Sequence, residues 1–290
     1  KKVYVGFGDR DSHPLAGGKG IVYIDDIRAC PPRCVPSLAR PYADISENCV
    51  VDEADIEILA GDWLLRDELI TTIAPPDVNL IAYYRFDGDY LDSSGHGYDG
   101  DPCGAISFEY DPIRGSQVLS LPGGSNQFVD IGAVGISDVN SRTIACWAKA
   151  DHTSIPDWTL IFGFTGNADG SGGDGSHFNI GSLGGPGGVG THVWGWEETI
   201  FTDEEALDWH HYAMTYDGTT ITYYGDGVQM DTDPGTSNVR NLTHADRVHV
   251  GSRITQESSF PGKVDDACIY NYALSDAEIA YLATDGAASL

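Results

Sequence analysis

The chain has 290 residues and a net charge of −28, from 16 basic and 44 acidic side chains. Such a surface repels nucleic acid and anionic membranes, and no apolar run is long enough to span a bilayer, so neither nucleic-acid binding nor membrane insertion is expected. Glycine is abundant at 36 residues and long amphipathic helical stretches are few, which points to an all-β fold rich in turns.

Residues 1–29 predict two strands, around Val3–Phe7 and Ile21–Arg28, joined by a polar, Gly-rich loop. A hairpin of two strands is marginal alone in water, so it needs a partner surface, either the domain that follows or a neighbouring chain completed by strand addition. The stretch VYVGFGDRDSHPLAGGKGIVYIDDIRA lies over VHVGSRITQESSFPGKVDDACIY near the C-terminus, and Asp25-Asp26 echoes Asp265-Asp266. A closing strand present twice, with a full domain only before its second copy, implies two copies of a domain ending. With Lys1 rather than methionine at the start, the chain is expected to be a processed or excerpted segment of a longer extracellular protein. Six cysteines, at 30, 34, 49, 103, 146 and 268, suit an oxidising compartment; none forms a CxxC pair.

Residues 44–66, DISENCVVDEADIEILAGDWLLR, place oxygen-bearing side chains in alternation: Asp44, Ser46, Asn48, Asp52 and Asp55, with the Val50 carbonyl between them. Calcium takes six to eight oxygens wrapped closely, and this spacing turns successive donors inward ahead of an apolar helix, Ile56–Leu65. The competing reading is an acidic turn before a helix, with no metal. The segment resembles one repeat of a type I dockerin, whose loop is EF-hand-like, with Cys49 where such loops carry Gly and one repeat where a dockerin has two. A calcium-stapled spacer is therefore expected rather than cohesin binding. Cys34 and Cys49 are near enough in sequence to bridge. Glu53, Asp55 and Glu57 superficially resemble the acid triplet of laminarinase-like glucanases, but they sit at a helix start rather than on a strand.

After a connector ending in Pro75-Pro76, a complete domain is expected from residue 79 to 286. Its landmarks are LIAYYRFDGDYLDSSGHGYDG, SQVLSLPGGSNQFVDIG, SRTIACWAKA, WHHYAMTYDGTTITYYGDGVQ and the closing PGKVDDACIYNYALSDAEI. Apolar and polar residues alternate, with turn signals at Asp217-Gly218 and Asp226-Gly227, which predicts two packed antiparallel sheets. In the final helix Ser275 is expected to accept first-turn N–H groups, with Glu278 completing a capping box.

This ordered set resembles the concanavalin A-like, laminin G-type jelly roll, and residues 1–35 resemble the end of a second such unit. The resulting organisation is a β-sandwich at 79–286, a linker at 71–78, a helical EF-hand-like calcium segment at 36–70 and partial strands at 1–35. The resemblance implies a structural calcium near the first and closing strands, held by Asp265 with Asp87 or Asp92 and backbone carbonyls around Gly88. The alternative pairs the acids with Arg85 or Arg114. Neighbours on a strand point to opposite faces, so only one of Asp265 and Asp266 is expected to reach a given ion.

The glycine-rich region 163–196 predicts an irregular loop, carrying Asp169, Asp174, His177, His192, Trp194 and Trp196. Aromatics that stack on sugar rings and polar groups that bond hydroxyls make it the candidate carbohydrate surface; Asp157-Trp158 belongs to another loop. His210 and His211 are adjacent in a strand and cannot grip one metal, so one is expected in the core and one at the surface. Cys146 and Cys268 fall on strands expected to be neighbours, as a disulfide bridge or as close free thiols. The function expected is a non-catalytic, calcium-stabilised extracellular module binding carbohydrate or a matrix polymer. The alternatives are a filament or surface-layer subunit joined to neighbouring copies through residues 1–29, and, last, a polysaccharide-active enzyme.

Overall fold

The computed structural model describes residues 51, 72–136, 141–166, 177–183, 187–193, 196–234, 247–253 and 258–285. The chain divides into two units, 1–66 and 67–290. The dockerin-like donors Asp44, Ser46, Asn48, Val50, Asp52 and Asp55, the Cys34–Cys49 bridge, the N-terminal strand copy, and Asp169, Asp174 and Trp194 lie outside the described residues. Trp196 opens a strand, but its side chain lies outside them too.

Fifteen described strands follow in order: β1 (Leu80–Tyr84), β2 (Asp101–Cys103), β3 (Ser107–Asp111), β4 (Ser116–Gly124), β5 (Phe128–Ala133), β6 (Arg142–Ala150), β7 (Leu160–Gly166), β8 (Phe178–Ser182), β9 (Val189–Val193), β10 (Trp196–Phe201), β11 (His210–Tyr216), β12 (Thr220–Gly225), β13 (Val228–Pro234), β14 (Arg247–Val250) and β15 (Ser259–Tyr270). One α-helix, α1 (Asp276–Asp285), ends the described chain. The strands form two antiparallel sheets: one ordered β13-β12-β11-β6-β15-β4-β3 with β1 also paired to β15, the other ordered β10-β9-β8-β7-β14-β5-β2. This is the expected all-β sandwich.

Period-two alternation builds two apolar layers from the same strands. Residues such as Tyr84, Leu119, Ile144, Cys146, Phe162, Phe178, Val248 and Ile269 meet between the sheets. Their sequence neighbours Tyr83, Ala145, Ala213, Cys268 and Tyr270 meet Leu274, Ile279 and Leu282 on the opposite face of the first sheet, where α1 covers them. The turn at Asp226-Gly227 forms as its sequence predicts: both residues have positive φ, +48° and +78°, the conformation a two-residue hairpin needs.

The region expected to be an irregular loop contains β8, β9 and the start of β10. Its glycines at 181 and 190 are strand residues: a Cβ there would lie 2.1 Å from the Thr159 carbonyl and 1.9 Å from that of Glu198. Close backbone approach, rather than loop freedom, requires glycine at these positions.

The Cys146–Cys268 bridge does not form; both are buried free thiols. β15 carries a bulge. Asp265 faces Trp147 and Cys268 faces Ala145, so three steps on β15 span two on β6. Cys268 therefore shares the α1-side face with Ala145, while Cys146 points between the sheets.

Candidate functional site

Register brings a polar row across the second sheet. Glu197 of β10 stands beside His192 of β9, then Asn179 of β8, Gly163 of β7, His249 of β14, Asp130 of β5 and Asp101 of β2. The alternating neighbours Phe178, Ile180, Val248, Val250, Val129 and Ile131 fill the core, so this row lies on the face turned away from it.

One end of the row is ionic. Arg247 pairs with Asp130, and His249 Nε2 lies 3.4 Å from the same carboxylate. Burial works against the Asp130 charge, yet the adjacent His249 and Arg247 side chains hold the group below the usual carboxylate range. The His249 ring stacks on Phe128 at 5.0 Å.

The other end is aromatic, built around one guanidinium. Trp158 is 39% exposed and stands in the left-handed region at φ +62°. Its ring is 5.3 Å from that of His192, and the Arg253 guanidinium lies 5.5 Å over it. His192 stacks in turn on His177 at 5.0 Å. Arg253 Nη2 is 2.8 Å from His192 Nδ1. A guanidinium only donates, so Nδ1 accepts and the His192 proton sits on Nε2, 3.6 Å from Glu197 Oε1. Burial, then Arg253 and His177, pushes the His192 imidazolium well below its ordinary range; burial and Arg253 push His177 down to about 4. Both rings are therefore neutral near pH 7.

Of the expected carbohydrate surface, only His177 and His192 have described side chains. His177 and His192 do come together, but they are buried, at 4% and 2% exposure, behind Trp158 and Arg253. Among the described side chains of this cluster, Trp158, on a separate loop, is the aromatic that reaches solvent. The sequence signal was present in Asp157-Trp158; what it lacked was the strand order that places residue 158 beside residue 192.

A second cluster lies on the outer face of the first sheet, at the double-acid motif. Arg114 Nε is 2.7 Å from Asp265 Oδ2 and its Nη2 is 2.6 Å from Asp266 Oδ2. Its guanidinium covers Trp147 at 4.4 Å, and the Tyr83 hydroxyl donates to Asp266 Oδ1 at 2.5 Å. The two acids were expected to point apart. Instead the bulge places Asp266 at φ +47° and turns both carboxylates to the same guanidinium. Asp92, the other expected calcium ligand, accepts backbone N–H groups from Tyr83, Ser94 and Tyr98, and so organises the loop after β1. Asp87 is exposed and adds negative potential at both buried acids. Among the described residues no group of three or more His, Cys, Asp or Glu side chains is arranged to hold a metal ion; of the expected calcium ligands, Asp265 is paired with Arg114 and Asp92 is bonded to backbone N–H groups. His211 is buried and His210 is half-buried, the latter stacked 3.8 Å from Phe201 and bonded to Asp226, so the pair points apart as expected.

Residues 123–280 match a laminin G family described as the Concanavalin A-like lectin/glucanases superfamily. The match spans more than half of the chain, and the chain belongs to this family. No curated protein matches it. Among solved structures it resembles domain 4 of AbnA, a GH43 extracellular arabinanase from Geobacillus stearothermophilus solved in complex with arabinotriose: 21% identity, 71% of this chain, 98% of that one, TM-score 0.55. It also resembles the binding domain of Paraclostridial Mosquitocidal Protein 1 (16% identity, 72% of this chain, TM-score 0.51). The receptor binding domain of botulinum neurotoxin C/D mosaic serotype is similar at 13% identity, 72% of this chain and TM-score 0.51. The chain spans 52% of each toxin domain. At these identities the likeness establishes the fold. Among the described residues no helix is long and apolar enough to cross a membrane.

Proposed function

We propose that this chain is a non-catalytic carbohydrate-binding module of an extracellular protein, and that the sugar stacks on Trp158. The observation that carries the reading is the solvent-facing indole held at positive φ, backed by Arg253 and a pair of neutral histidines. A bulky residue in the left-handed region costs on the order of 1–3 kcal/mol, and such strain collects at ligand-binding positions. An exposed ring face offers stacking to the apolar C–H face of a sugar, while the acidic surface as a whole disfavours polyanions. The arabinotriose complex of the AbnA domain supports an oligosaccharide as the first ligand to try. Calcium enters this reading as a staple of residues 44–55, supported by the spacing of their oxygen donors.

The test is calorimetric titration of neutral oligosaccharides, arabinotriose first, into the wild-type chain and Trp158→Ala, with and without chelator. The expected result is saturable binding that weakens at least ten-fold in the variant while its thermal unfolding is retained. Unchanged binding in Trp158→Ala, or no oligosaccharide bound by the wild type, overturns the assignment. Chelator should lower thermal stability if the 44–55 segment holds calcium, and leave it unchanged if it does not.

A further inference from the structure

We infer that the sandwich carries a second ligand site, for a single neutral sugar ring, in a cleft between the start of β1, the residues just after β5 (134–136), Ser141 before β6 and Asn271 just after β15. The cleft measures about 450 Å³ and is lined by Ile81, Tyr98, Val134, Ile136, Ser141 and Asn271, with Gly135 on its wall. That volume lies within the roughly 300–1,000 Å³ of small-molecule sites. Ser141 precedes β6 and Trp158 lies beyond it, so the nine residues of that strand, about 30 Å long, and then residues 151–157 come between the two sites in the chain.

The lining sets the ligand class. Ile81, Val134 and Ile136 supply an apolar floor, and Tyr98 supplies an aromatic wall that stacks on His96 at 6.5 Å. The polar groups at the rim are uncharged: the Tyr98 hydroxyl, the Ser141 hydroxyl and the Asn271 carboxamide. Among the described residues none of these three side chains makes a hydrogen bond within the protein. One hydrophobic face opposite several uncharged donors and acceptors matches a neutral monosaccharide, which is apolar on its C–H face and hydroxylated at its edge. A charged ligand would find no counter-charge among the described lining residues.

The wall is pre-formed. The Tyr98 N–H donates to Asp92 Oδ2 at 3.1 Å, and the Tyr84 hydroxyl donates to the Tyr98 carbonyl at 2.6 Å. The Asn271 N–H donates to the Asn79 carbonyl at 3.0 Å. Ordering these groups in advance lowers the entropy lost on binding. Gly135 has φ +74°, and a Cβ built there meets only the Tyr98 hydroxyl, at 3.7 Å. A side chain at 135 would therefore enter the cleft rather than the core.

This inference rests on the carbohydrate reading but uses different residues, so the two fail separately. The experiment follows backbone amide shifts of the full chain carrying Trp158→Ala while arabinose, galactose, glucose and N-acetylglucosamine are added singly, with cyclohexanol and glucuronate as comparison probes. The expected result is saturable shifts at Tyr98, Gly135 and Asn271 with at least one neutral sugar. They should be lost in Gly135→Asn, a residue that tolerates positive φ, and weakened about ten-fold in Asn271→Ala, with unfolding temperatures retained. No shift at these amides with any neutral sugar overturns the second site, whatever the outcome of the oligosaccharide titration at Trp158. Equal or tighter binding of cyclohexanol or glucuronate overturns the sugar class, and shifts that persist in Gly135→Asn overturn the location.

Discussion

Arg114, Asp265 and Asp266 put two carboxylates against one guanidinium in a nearly closed environment, with Asp265 only 2% exposed. Burial and then the Asp266 charge push the Asp265 carboxyl up to about 7, and Arg114 offsets only part of this. The sign of the consequence follows from proton linkage. An acid with an ordinary value of 3.8 that binds its proton more tightly when folded leaves the native state holding more protons between pH ~4 and ~7, so its contribution to stability falls as pH rises through that window. His177 and His211, pushed down from 6.5 to about 4 and about 3 by burial, act the other way: their contribution is lost as pH falls below about 6.5. Chemical denaturation from pH 4 to 7 should therefore show a steeper rise of stability with pH in Asp265→Asn than in the wild type. An identical slope in the two proteins would refute the raised value. The sequence marked Asp265 as a special residue and offered Arg85 or Arg114 as the alternative partner of the acids; that both carboxylates share the Arg114 guanidinium was not readable, because Arg114 is 151 positions away.

At the scale of the element, α1 shows how a local motif is met in part. Glu278 returns to the Ser275 N–H at 2.8 Å, as a capping box requires. Ser275, however, donates its hydroxyl to the same carboxylate, and the Tyr272 hydroxyl donates to it as well. Glu278 is therefore the hub, and Ser275 is not the N–H acceptor that the spacing predicts. Glu278→Ala should destabilise the domain by about 1–2 kcal/mol and Ser275→Ala by less, read from urea midpoints at neutral pH; the reverse order would restore the conventional cap. The consequence reaches beyond the helix, since Ile279 and Leu282 are fully buried over Cys268 and Tyr270 on the outer face of the first sheet. A one-residue bulge in β15 is the matching lesson for strands. It moves Cys268 out of step with Cys146 and brings two neighbouring acids to one side, neither of which period-two reasoning allows.

For the molecule as a whole, two sheets and one covering helix separate the thiols by a layer of backbone. Cys146 belongs to the inter-sheet core and Cys268 to the layer beneath α1. Burial raises both thiols well above their ordinary range, which leaves little thiolate to oxidise. Alkylation of the unreduced, denatured protein followed by peptide mass analysis should find both cysteines labelled. A 146–268 disulfide in that experiment would contradict the placement of the two side chains on opposite faces.

Composition, alternation and turn chemistry were enough to fix the class of fold, the paired strands of the β11–β13 hairpins and the closing strand followed by a capped helix, because each depends on residues near one another in the chain. The family resemblance followed from the order of those same local motifs. Which side chains share a site was decided only by tertiary structure. Strand order placed Trp158 against His192 and Arg253, the bulge joined Asp265 and Asp266 to Arg114, and loop packing opened the Tyr98 cleft. The physical reason is that register and strand neighbours depend on the packing of the whole sandwich, while a sequence displays directly only what adjacent residues do.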